Sequence, residues 1–104
     1  MPKIICFYVP VPDHESAEKI ITHLIDEKLI ACGNILAATS LFKWKNKLEV
    51  EGEKICFLKT LRPLQKKVSR EIAKIHSYDI PLIVRWKIKV NKPYYKWMVK
   101  EISV

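Results

Sequence analysis

The side chains able to do chemistry in this 104-residue sequence are few and scattered. His76, Cys32, Glu49, Glu51 and Asp79 carry the donor types that bind divalent cations, imidazole and thiolate for softer ions and carboxylate for harder ones. None stands at a local ligand spacing such as His-x-x-x-His. A metal centre therefore needs the fold, or a second copy of the chain, to gather its ligands. Cys32 with His76 has the composition of a thiolate–imidazole nucleophile, but no stretch supplies an evident oxyanion hole. With two glycines in the chain, a phosphate-cradling loop is excluded. These residues point to binding rather than catalysis, and no enzymatic activity is expected.

Positioning these groups falls to a readable series of elements. Ile4 to Val9 is a continuous apolar run, the pattern of a strand covered on both faces, and Val9-Pro10-Val11-Pro12 should end it. Asp13 stands where a helix N-cap belongs, before Ala17, Ile20, Ile21, Leu24 and Ile25 at helical spacing. Ile30 to Leu36 leads into a second strand, with a bulge expected at Gly33. From Ser40 to Thr60 apolar and charged residues alternate on both sides of a polar tip at Asn46-Lys47, the period of a long β-ribbon. Pro63 opens a second helix with the stripe Leu64, Val68, Ile72 and Ile75, ending at His76. Leu82 to Val90 is a fourth strand on which Arg85, Lys87 and Lys89 form one basic face, and Lys92-Pro93 opens an aromatic-rich last helix. The order is β-α-β-β-α-β plus a carboxy-terminal helix. One α+β domain over residues 1–104 is expected, a ferredoxin-like βαββαβ antiparallel sheet with both long helices on one face.

That arrangement leaves two surfaces without cover. The ribbon carries Phe42, Trp44, Leu48 and Val50 near its tip, beyond the reach of a small domain's core, and a two-stranded ribbon is marginal alone in water. The face of the sheet away from the helices is open as well, so it must serve binding or assembly. RNA-recognition domains use such a face, but their Lys/Arg-Gly-aromatic signature is missing from Glu53-Lys54-Ile55-Cys56-Phe57-Leu58-Lys59. RNA binding through that face, which the net charge of +8 suits, therefore stands only as a second alternative, and nucleic acid is not the expected partner.

The three cysteines, Cys6, Cys32 and Cys56, lie far apart in apolar runs and read as reduced thiols rather than as a disulfide framework or zinc knuckle. The amino-terminal apolar run is too short for a signal peptide, and no run approaches the roughly 18 residues of a membrane span. A cytoplasmic protein without membrane contact is expected.

Asp13-His14-Glu15-Ser16-Ala17, Leu29-Ile30-Ala31-Cys32-Gly33-Asn34-Ile35, Ser40-Leu41-Phe42-Lys43-Trp44, Leu58-Lys59-Thr60, His76-Ser77-Tyr78-Asp79-Ile80-Pro81 and Tyr95-Lys96-Trp97 follow one another in an order and spacing that resembles the CutA divalent-cation tolerance proteins. The resemblance implies a non-catalytic homotrimer similar to the PII signalling proteins, in which each ribbon extends a neighbour's sheet. Phe42, Trp44, Leu48 and Val50 would then be interface residues. It also implies binding of divalent metal, copper in particular, with His76 and Glu51 as ligands and Cys32 as an outside candidate. The PII likeness adds an alternative, a small anionic ligand or partner protein held in intersubunit clefts near Lys59 and Tyr78. Four positions depart from the family pattern: Ser77 and Asn46 replace a usual proline and glycine, Val9 a cysteine that some members use for copper, and Leu82 a common glutamate.

Overall fold

The computed structural model describes residues 1–102. Four strands form one antiparallel sheet in the order β2-β3-β1-β4: β1 Lys3–Val11, β2 Cys32–Trp44, β3 Lys47–Thr60 and β4 Val84–Lys89. Helices α1, His14–Asp26, and α2, Gln65–Ile75, follow β1 and β3, and α3, Lys92–Glu101, ends the described chain. This is the expected α+β ferredoxin-like arrangement with its added helix.

Alternation along β1 sorts the core into two parts. Ile5, Phe7, Val9 and Val11 point to one face, where they meet Ala17, Ile20, Ile21 and Leu24 of α1 and Val68 and Ile72 of α2. Ile4 points to the other face and packs with Leu61, Met98 and Ile102. The third helix therefore covers one end of the face that would otherwise be open. Farther along that face Tyr8, Phe57 and Trp86 meet edge-on, with ring centroids 5.5 and 6.4 Å apart. They pack against one another rather than lying flat as a stacking platform.

Local chemistry sets the boundaries. Asp13 Oδ1 accepts from the Ser16 N–H at 2.8 Å, capping α1. Its carboxyl is held below the usual range by that bond. At the ribbon tip Lys45 and Asn46 take positive φ values of 52° and 65°, as a two-residue hairpin turn requires. Strand β1 runs two residues beyond its expected stop at Val9. Pairing with β4 ends at Tyr8, so Pro10 lies past the end of that neighbour, where a missing donor is tolerated. Ile25 is exposed rather than part of the α1 stripe.

The expected bulge at Gly33 is absent, because the β2–β3 register runs unbroken from Cys32↔Lys59 to Trp44↔Lys47. The glycine has a different cause. A Cβ there would lie 2.8 Å from both Cγ atoms of Ile21, so α1 packs directly on the strand backbone.

Candidate functional site

His76 terminates α2, and the chain turns back across the top of the sheet. Its Nε2 lies 2.8 Å from the Pro10 carbonyl, which can only accept, so the ring proton sits on Nε2. Nδ1 then presents a lone pair, which accepts from the Tyr78 N–H at 3.1 Å. Two residues on, the Tyr78 hydroxyl donates to Glu53 Oε2 at 2.6 Å. Burial pushes the Tyr78 phenol well up, and the carboxylates of Glu53, Glu51 and Asp13 push the same way. The hydroxyl is thus a fixed donor within an acidic neighbourhood. Both ring nitrogens are thereby engaged, so a cation reaches Nδ1 only by displacing the Tyr78 N–H. A histidine that ligates metal commonly donates its other ring N–H to a backbone carbonyl, as His76 does to Pro10.

A second polar group occupies the opposite end of β3. The Lys59 ammonium donates to Asn34 Oδ1 at 2.5 Å and approaches Cys32 Sγ at 3.8 Å. Burial, and after it the neighbouring Cys32, pushes the Tyr94 phenol of α3 up to about 12. Cys6 faces Lys59 from β1. Burial raises its thiol pKa and the nearby ammonium partly offsets the rise.

The two groups do not meet within one chain. Cys32 pairs with Lys59 and Ser40 with Glu51, so Cys32 and Glu51 are eight positions apart along the ribbon, about 26 Å at 3.3 Å per residue. Glu53, to which Tyr78 is bound, is likewise six positions along β3 from Lys59, about 20 Å. His76 and Glu51 thus share a neighbourhood without Cys32, and the thiolate–imidazole pair is not assembled. Among the described residues no three His, Cys, Asp or Glu side chains gather as a metal cluster.

The ribbon residues divide as well. Phe42 opposes Glu49 and Trp44 opposes Lys47 on one face, while Leu48 opposes Lys43 and Val50 opposes Leu41 on the other. All four are well exposed, from 41% for Phe42 to 64% for Leu48. Apolar surface therefore shows on both sides of an arm that stretches the molecule to 46 Å against 24 and 21 Å.

Sequence reasoning missed Glu53, Asn34 and Tyr94. Asn34 faces Phe57, two residues before Lys59, so hairpin counting could have found it. The other two depend on where a loop and a helix come to rest.

Comparison with known proteins gives the family and the fold. The family model described as CutA1 divalent ion tolerance protein matches residues 5–101. The divalent-cation tolerance protein CutA of Pyrococcus horikoshii is 37% identical over 99 residues, covering 94% of this chain and 97% of its own. CutA1 of Ehrlichia chaffeensis superposes with a TM-score of 0.95 at 30% identity, over 100% of this chain and 99% of its own. The periplasmic divalent cation tolerance protein CutA of Archaeoglobus fulgidus superposes at 0.90 with 30% identity, over 98% and 100%.

Proposed function

The chain belongs to the CutA1 divalent ion tolerance family, and from that premise we propose that it is a non-catalytic homotrimer that binds a divalent metal ion, copper foremost, at a subunit interface. The observation that carries the metal part is the His76 ring, oriented by the Pro10 carbonyl with Nδ1 toward the loop that meets Glu53, where a metal ion would take the place of the Tyr78 N–H. His76 would be the nitrogen ligand and Glu51 the carboxylate ligand, with Glu53 close by. Cys32 would join only from another copy of the chain. Assembly is supported by the exposed apolar residues on both ribbon faces, since contiguous apolar surface marks interaction sites.

Copper titration of the wild type and of His76→Ala tests the site. The variant should bind at least about tenfold more weakly, the loss expected when one of few ligands is removed. Equal affinity would remove His76 from the site. The same reading puts the protein in the cytoplasm, away from membranes. No described helix is long and apolar enough to cross one, and cell fractionation tests the compartment.

One observation favours a second reading, a PII-like signalling or scaffolding trimer that takes a small anion or a partner protein in intersubunit clefts. Lys59 is half-buried, and among the described residues its ammonium has Asn34 and Cys32 as partners rather than a carboxylate. A cation in that position is a ready anion donor. Thermal-shift screening against nucleotides and acidic metabolites tests it, and a flat screen counts against it.

A further inference from the structure

The cations of this chain are unevenly placed. Between Leu82 and Ile102 stand Arg85, Lys87, Lys89, Lys92, Lys96 and Lys100, six of the 19 basic residues, against Glu101 alone of the 11 acidic ones. All six are exposed. Lys89 lies directly opposite Lys3 in the β1–β4 register, and like charges so placed destabilise a sheet. Among the described residues, no ion pair neutralises any of these seven. The carboxylates that surround Tyr78 lie at the other end of β1, away from these cations.

We propose that the exposed side of α3, with its lysine row, is a docking surface for single-stranded nucleic acid, held through its phosphates. Arg85, Lys87 and Lys89 of β4 stand opposite Phe7, Ile5 and Lys3, on the α1–α2 side of the sheet, and lie outside this surface. On α3, Lys92, Lys96 and Lys100 recur every four residues and make a row of point charges about 6 Å apart along the axis. Trp97 borders that row, three residues before Lys100. It is 41% exposed, with its ring held against Tyr94 at 5.3 Å. A basic track beside an oriented aromatic is how proteins grip single strands without reading sequence.

An acidic membrane fits less well. Met98 and Ile102 are fully buried against Ile4 and Leu61, so the apolar side of α3 lies in the core and is not free to insert. The surface is also distinct from the sheet face that RNA-recognition domains use, where Tyr8, Phe57 and Trp86 pack edge-on.

Fluorescence anisotropy with a labelled mixed-sequence DNA strand of roughly 20 nucleotides tests this, between about 50 and 200 mM salt. The wild type should bind, with affinity falling steeply as salt rises. The triple variant Lys92→Gln, Lys96→Gln, Lys100→Gln should lose tenfold or more, and its salt slope should shrink by about 2, near 0.7 per phosphate contact. Trp97→Ala should lose about fivefold at unchanged slope, from lost stacking. The ribbon-tip triple Lys43→Gln, Lys45→Gln, Lys47→Gln removes equal charge and should stay within about twofold of wild type. Circular dichroism confirms that each variant is folded. Equal losses from the two triples would overturn the proposal, because net charge alone would then explain binding. It would also be overturned by no binding at low salt, or by capture of phosphatidylserine vesicles without capture of the strand.

Discussion

The Tyr78 hydroxyl donates to Glu53 Oε2 at 2.6 Å, joining the loop after α2 to the root of the β-ribbon. The same loop holds His76 through its own backbone, because the Tyr78 N–H meets Nδ1. Ribbon and imidazole are thus positioned by one residue. Tyr78→Phe removes the donor and leaves a half-buried carboxylate without it. We expect a loss of about 1.5 kcal/mol in denaturant unfolding, the low end for a bond to a charged group because both partners are half exposed. A variant as stable as wild type would show that the bond does not hold the loop.

Gly33 is a packing residue rather than a turn residue. In Gly33→Ala the new methyl would meet Ile21 at 2.8 Å, and overpacking of this kind costs about 1–3 kcal/mol. The lower backbone entropy of alanine offsets only about 0.5–1 kcal/mol of that. Gly33→Ala should therefore destabilise wild type, yet be neutral or stabilising in an Ile21→Ala background. Additive losses in the double-mutant cycle would place the strain elsewhere.

Much of this architecture follows from local patterns. The N-cap at Asp13, the left-handed Asn46 and the stripe ending at His76 are written in single residues whose backbone preferences decide them. The ribbon alternation announced two strands. Its register assigns Phe42 with Trp44 to one face and Leu48 with Val50 to the other, a consequence of the two-residue turn that counting outward from Asn46 makes plain. The Tyr78–Glu53 bond spans 25 positions and depends on where an irregular loop settles, which no periodicity encodes. Tyr94 escaped notice for a similar reason. Its role depends on α3 crossing the sheet end beside Cys32, and an aromatic in a short amphipathic helix reads as packing alone. Gly33 misled because strand glycines suggest bulges, while the close approach of α1 is a tertiary fact.

Alkaline pH should destabilise the fold. Burial pushes the Cys56 thiol from 9.0 to about 11, and the Tyr94 phenol rises from 10.0 to about 12 through burial and the neighbouring Cys32. Tyr78 is raised as well. The folded chain therefore keeps protons that the unfolded chain has released, and unfolding at high pH is accompanied by proton loss. Their stabilising contribution is complete below the unfolded pKa values and is lost as pH rises through the folded ones. Urea midpoints should fall between about pH 9 and pH 12, less steeply in Tyr94→Phe. A flat profile over that window would contradict these environments.

The two faces of the ribbon make the proposed assembly testable in parts. Trp44 and Phe42 lie on one face, Leu48 and Val50 on the other. A neighbour that covers one face alone would leave the second apolar pair in water, so full cover needs contacts on both sides of the arm. Trp44→Glu and Leu48→Glu should then each shift the protein toward a 12.2 kDa monomer in sedimentation velocity, because a charge buried without a partner costs several kcal/mol. Dissociation by one substitution alone would identify the face that is covered. If neither changes the oligomer, the ribbon is not an intersubunit element, and a wild type that sediments as a monomer would remove the trimer and the interface metal site together.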